Sequence, residues 1–157
     1  MLRLSREADY SLLAMVYIAA RPQGELACRG DIAAHYSIPK EFLAKVLQKL
    51  SRHGLIKSHR GMQGGYQLAR DAEKISLADV VEAVDGPMAL VECQRGLCDC
   101  PQEPVCTVQG TLNDLQREIR KAFGKVTLKD MGDRVRGGAR QPELLQVEPR
   151  HKDQGIT

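Results

Sequence analysis

Ser37-Ile38-Pro39-Lys40-Glu41-Phe42-Leu43-Ala44-Lys45-Val46-Leu47-Gln48-Lys49-Leu50-Ser51-Arg52-His53 holds a tight turn followed by a helix with two unlike sides. Ser37 can cap a helix that opens at Pro39, where the missing amide hydrogen breaks nothing because the first amides of a helix are unpaired anyway. Phe42, Leu43, Val46, Leu47 and Leu50 fall at i, i+1, i+4, i+5 and i+8, one apolar stripe of a helix over 39–53. The opposite side shows Lys40, Glu41, Ala44, Lys45, Gln48, Lys49 and Arg52. From Lys40 to Arg60 six cations stand against the single anion Glu41, a local excess that attracts a polyanion. A solvated helix face would carry similar charge, so the neighbouring elements decide between the two readings.

Upstream, Gly30 to Tyr36 reads as a short helix with Ile32 and Ala33 as its apolar contacts and Asp31 near its start. A short helix, a tight turn and a helix that is greasy on one side and basic on the other make a helix-turn-helix, its second helix lying in the major groove. Before it, Ser5 to Ala20 carries Leu12, Leu13, Val16, Tyr17 and Ala20 near helical spacing, and Arg21-Pro22-Gln23-Gly24 ends this packing helix. After Gly54, the strands Leu55 to Ser58 and Tyr66 to Leu68 flank Arg60-Gly61-Met62-Gln63-Gly64-Gly65. Three glycines beside Arg60 leave a slim basic tip that can approach a phosphate backbone or a minor groove, which is the form of a wing. Neither the glycine spacing nor the context fits a dinucleotide-binding loop. The DNA-contacting set expected from this unit is Ser37, Pro39, Lys40, Glu41, Lys45, Gln48, Lys49, Arg60, Gly61, Gly64 and Gly65. His35, His53 and His59 lie in or beside it and suit phosphate or solvent contact better than metal.

Further along, Ser76-Leu77-Ala78-Asp79 looks like a capping box opening a helix through Val84, with Leu77, Val80, Val81 and Val84 turned inward and Gly86-Pro87 ending it. From Thr107 to Lys125, Leu112, Leu115, Ile119 and Ala122, with Val126 beyond, recur in steps of three and four. Such a stripe packs along a partner helix, and the expected partner is its copy in a homodimer; a core helix of a monomer is the alternative. Thr127 to Met131 suits one more short helix, and Gly132 to Thr157, without periodicity, is expected to be disordered. The fold class is therefore mainly α with a small β wing: a winged helix-turn-helix over 1–85, a cysteine loop over 86–106, a dimerisation helix with a closing helix over 107–131, and a tail over 132–157.

Four of the five cysteines crowd into Cys93-Gln94-Arg95-Gly96-Leu97-Cys98-Asp99-Cys100-Pro101-Gln102-Glu103-Pro104-Val105-Cys106. Thiols this close, among glycine and proline, suit a loop around a soft metal or an iron-sulfur cluster. The single residue between Cys98 and Cys100 is awkward for a zinc knuckle, yet structural zinc and a thiol switch stay open as alternatives. Cys28 stands apart as a small buried or loop residue. No stretch approaches the roughly eighteen apolar residues that span a bilayer, so a cytoplasmic protein without a membrane role is expected, and in a reducing cytosol such cysteines hold metal or do redox work. The chain of 157 residues carries a net charge of +3. No Ser-His-Asp order, carboxylate pair or phosphate loop argues for an enzyme.

These parts resemble the iron-sulfur winged-helix transcription regulators of the IscR and NsrR type, the Rrf-two family. The resemblance spans Leu2 to about Met131 and rests on Arg3-Leu4-Ser5 through Asp9-Tyr10, Ile38-Pro39-Lys40-Glu41-Phe42-Leu43, Arg60 through Tyr66, and the cysteine loop. Cys100 through Cys106, ending in Pro-Val-Cys, is most similar to the nitric-oxide-sensing NsrR branch. The resemblance implies a homodimeric repressor on palindromic double-stranded promoter DNA. It also implies a 4Fe-4S or 2Fe-2S cluster, held by Cys93, Cys100, Cys106 and Asp9 of the partner subunit, that senses nitric oxide, redox state or cluster supply. Cys93 and Cys100 enclose one residue more than the family's usual gap, which makes Cys98 the alternative middle ligand; for the fourth ligand the alternatives to Asp9 are Cys98, Glu7 or a histidine. Where isc-type members supply a histidine after the last cysteine, this chain has Gln109.

Overall fold

Helix α1 (Arg6–Ala19) runs through the middle of the computed structural model, which describes residues 3–22, 24–61, 63–96 and 100–137. Its N-cap is Ser5, whose Oγ accepts from the Ala8 amide at 2.9 Å. Helices α2 (Arg29–Tyr36) and α3 (Lys40–Arg52) form the helix-turn-helix. Strands β1 (Ile56–His59) and β2 (Gly65–Leu68) make the wing. Then come α4 (Leu77–Asp85), the cysteine loop with two short 3-10 turns, α5 (Gln109–Lys125) and α6 (Leu128–Gly137). The mainly α, winged architecture expected from the sequence is the one observed.

The turn between α2 and α3 works differently from the expectation. Ser37 does not cap α3. It ends α2 in the left-handed region, φ 54°, while Pro39 stands at the α3 N-cap with no side-chain cap bond. The Ile38 amide donates to the Ala33 carbonyl at 3.0 Å, and the Ile38 side chain is buried. A left-handed residue followed by an apolar anchor is how a helix C-terminus satisfies its last carbonyls.

The core joins Ala8, Ala14, Met15 and Ile18 of α1 to Leu43, Val46, Leu47 and Leu50 of α3 and to Val80, Val81, Ala83 and Val84 of α4. The buried face of α1 is rotated from the one expected. Leu12, Val16 and Tyr17 are only half-buried, whereas Ala8, Ser11, Ala14 and Met15 are inside. Small residues win those positions because α1 is packed between α3, α4 and α6, where large side chains would hold the helices apart. Ser11, the buried polar residue among those described, donates its hydroxyl to the Glu7 carbonyl at 2.7 Å and so carries no desolvation penalty.

The expected capping box of α4 is present: Ser76 Oγ accepts from the Asp79 amide at 3.1 Å and Asp79 Oδ2 from the Ser76 amide at 2.9 Å. Thr127 and Asp130 cap α6 in the same reciprocal way, at 2.8 and 3.2 Å. With Leu128 buried and Met131 against the core, α6 continues through Gly137, well into the stretch expected to be disordered. Residues 138–157 lie outside the described residues. In the wing, Ile56 pairs with Leu68 and His59 with Gly65, and Ala27 adds a third strand position through two 2.9 Å bonds with Tyr66.

Candidate DNA-binding surface and cysteine cavity

α3 presents Lys40, Glu41, Lys45, Gln48 and Arg52 to solvent while Leu43, Val46, Leu47 and Leu50 are buried, so the amphipathic split read from the sequence is realised. Phe42 is half-buried, edge-on to Tyr10 with ring centroids 5.3 Å apart. Ser37 and Pro39 are exposed at the turn, and Arg60 and Gly61 at the wing. Between α3 and the wing runs an open groove lined by Lys45, Gln48, Ser51, Arg52, Ser58 and Tyr66, among others. Hydroxyls, an amide and two cations facing one furrow are the donors a phosphate backbone needs. Ser51, Arg52 and Ser58 were not among the expected contacts. The i+3 step from Lys45 to Gln48 and the i+4 step from Gln48 to Arg52 were a signal that could have found the arginine.

Three expected DNA contacts have other work in the fold. Lys49 is absent from the groove: its Nζ lies 2.8 Å from Glu7 Oε1 and 3.0 Å from the Val84 carbonyl oxygen. Gly65 is buried, and a Cβ there would come within 2.8 Å of the Ala27 carbonyl oxygen. A Cβ at Gly64 would meet the His59 carbonyl oxygen at 2.5 Å. Both glycines are required by the wing's own backbone. Gly61, at φ 120°, is in the region that favours glycine. His35 packs edge-on to Tyr36 and beside Tyr17, with centroids at 4.5 and 5.2 Å, so its surroundings are aromatic.

The cysteine loop closes on a cavity of about 140 Å³ lined by Cys93, Gly96, Cys100, Glu103, Cys106 and Gln109. Three of the thiols singled out in the sequence thus line one cavity, each half-buried and free of a disulfide. Two short 3-10 turns, Glu92–Arg95 and Glu103–Val105, bring them there, the second followed directly by Cys106. Gln109 is the first residue of α5, so the positive end of a 17-residue helix adjoins the thiols and favours negative charge among them. Cys98 falls outside the described residues. Of the two places expected for Cys28 the loop is the one observed: it is exposed at the α2 N-cap, its thiol 3.8 Å from the Gly64 carbonyl oxygen.

Among the described residues no three Cys, His, Asp or Glu side chains converge closely enough for a single metal ion. A tetrahedral zinc site needs sulfurs within about 4 Å of one another, given its bond lengths. A multi-iron cluster spreads its ligands more widely, and three soft thiols around a shared cavity fit that donor set. Asp9 lies exposed on the first turn of α1 and does not line the cavity of its own chain. Glu103 does line it, a carboxylate overlooked in the sequence although it sits midway between Cys100 and Cys106.

Along α5 no residue is fully buried. Leu115 and Ala122 are exposed, Leu112 and Ile119 half-buried. Arg120 forms a two-point ion pair with Glu82 at 2.7 and 3.0 Å, which fixes the other flank of α5 against α4. No helix among the described residues is long and apolar enough to cross a membrane.

Comparison with known proteins agrees with this architecture. The Rrf2 family model, described as an iron-dependent transcriptional regulator, matches residues 4–134. An HTH-type transcriptional regulator of Mycobacterium tuberculosis is 36% identical over 157 residues, covering 99% of this chain and 94% of its own. The HTH-type transcriptional regulator NsrR of Bacillus subtilis is 34% identical, with 83% of this chain and 90% of that protein aligned. In fold, the global cysteine regulator CymR of Bacillus subtilis superposes with a TM-score of 0.69 at 24% identity, over 85% of this chain and 98% of CymR. The chain belongs to the Rrf2 family, and is a DNA-binding transcription regulator rather than an enzyme.

Proposed function

We propose that this regulator holds an iron-sulfur cluster on Cys93, Cys100 and Cys106 and acts as a homodimeric repressor, in the cytoplasm, on a palindromic operator. The observation that carries the reading is the convergence of these three thiols on one small cavity beside the start of α5. When bound, such a cluster supplies iron that reacts with nitric oxide and oxidants, and the likeness to NsrR favours nitric oxide as the signal. The chain's own part is mechanical. Cys106 lies three residues before α5 and Cys93 eight after α4, so ligation of both fixes the path between the two helices. The exposed apolar residues Val105, Val108 and Leu115 lie along the loop and α5, where a second copy would cover them. Asp9 of the partner subunit supplies the remaining ligand, with Glu103 as the alternative within the chain.

The test is to purify the full chain without oxygen, record its visible spectrum, and assay iron, sulfide and zinc. A brown protein with iron and sulfide, whose colour is lost in Cys93→Ser and Cys106→Ser, is the expected result. A colourless protein with stoichiometric zinc, or with no metal, would replace this reading with a zinc-stapled or thiol-based regulator.

A further inference from the structure

In the sequence Lys49 belongs to the basic side of α3, but its half-exposed ammonium is bonded to two groups of its own chain. Nζ donates to Glu7 Oε1 on α1 at 2.8 Å and to the Val84 carbonyl oxygen in the last turn of α4 at 3.0 Å. A lysine at a helix C-terminus meets carbonyls that have no partner within the helix, and it also meets the negative end of the dipole. Close by, the Ser5 hydroxyl donates to Asp85 Oδ1 at 2.6 Å, a second tie from the start of α1 to the end of α4. One side chain therefore touches the recognition helix, the N-terminal helix and the last turn before the cysteine loop.

We propose that Lys49 is a positioning residue for DNA binding, which sets the angle of α3 against the α1 and α4 pair and does not itself contact phosphate. Its side chain is 39% exposed and that of Glu7 27%, so screening keeps the pair's share of global stability small. What the bonds define is orientation. A movement of the α4 C-terminus or the α1 N-terminus reaches the recognition helix through this ammonium as well as through the core that α3 shares with both helices. The proposal stands on DNA binding and the fold, and holds whether or not the cysteine cavity takes a cluster.

The experiment uses the full chain and a duplex selected by it from a random-sequence library, titrated at several salt concentrations. Lys49→Met is expected to weaken binding about tenfold, in the range of coupling between contacting groups, with the slope of log affinity against log salt unchanged. Glu7→Gln is the sharper arm. Removing an anion from a DNA-binding protein strengthens attraction to the polyanion, whereas losing the anchor of Lys49 weakens binding about as much as Lys49→Met does. The double variant should bind no worse than the weaker single variant, and Lys49→Arg should retain most of the affinity. The proposal is overturned if Lys49→Met lowers the salt slope by roughly one unit, the mark of a lost phosphate contact, while Glu7→Gln binds as well as or better than wild type. It is equally overturned if neither substitution changes affinity. Glu7→Gln keeps the shape of the side chain, so it carries the test even if Lys49→Met folds poorly.

Discussion

Ser37 is the one non-glycine residue in the left-handed region among those described, and it sits at the hinge of the helix-turn-helix. That conformation costs a residue with a Cβ on the order of 1–3 kcal/mol, against which glycine's greater freedom in the unfolded chain sets roughly 0.5–1 kcal/mol. Ser37→Gly should therefore leave stability unchanged or raise it by up to about 2.5 kcal/mol, read as the thermal unfolding midpoint. Operator affinity measured on the same variant then isolates the hydroxyl. A stable protein with weakened binding places Ser37 Oγ on the DNA, and unchanged binding leaves the turn with a structural role only. A fall in stability would show that the left-handed turn is not strained.

α5 is an element whose two flanks do different things. Phe123 and Ile119 line an apolar cavity of about 250 Å³ with Val81, Met88 and Leu90 of the same chain, and the Gln116 amide donates to the Met88 carbonyl. Leu115, half exposed, and Ala122 face outward. The four residues of the expected dimer stripe are thus divided, Ile119 toward its own subunit and Leu115 away from it. Leu115→Glu should leave the monomer folded and place an unpaired charge in the dimer contact, costing about 3–5 kcal/mol if that contact is dry. Sedimentation should show monomers with unchanged helical circular dichroism. A Leu115→Glu protein that remains dimeric would move the subunit contact off this stripe.

At the scale of the whole molecule, the cysteine cavity, α4 and the recognition helix are joined in series. The cysteine loop leaves α4 at Gly86, two residues after the Val84 carbonyl that Lys49 grips. In a dimer whose recognition helices must match half-sites about one helical turn of DNA apart, a small change at the loop alters affinity only if the two geometries bind DNA differently. Full chain loaded without oxygen should bind its selected duplex at least tenfold more tightly than after nitric oxide. Asp9→Ala should shrink that ratio while leaving affinity after nitric oxide unchanged. Equal affinity before and after treatment in wild type would remove the cavity from control of this DNA.

Much of this was legible along the chain because it is local. The stripe of α3, the Ser76 box, the glycine-rich wing and the spacing of cysteines each depend on residues a few positions apart, where helical periodicity and capping act. The α6 extension was missed although Thr127 and Asp130 carry its cap, since the residues after it show no stripe of their own. Other features were decided only in three dimensions. Gly64 and Gly65 read in the sequence as a slim tip, and only the fold shows that the carbonyls of His59 and Ala27 leave no room for a Cβ at either. The buried face of α1 was set by how closely three other helices approach it. Lys49, spaced like a phosphate ligand, meets partners 42 residues before it and 35 after it. A lysine's four-carbon stem lets its charge reach either side of a helix, and only the packing of α1 and α4 against α3 determines which side holds an anion and an unpaired carbonyl.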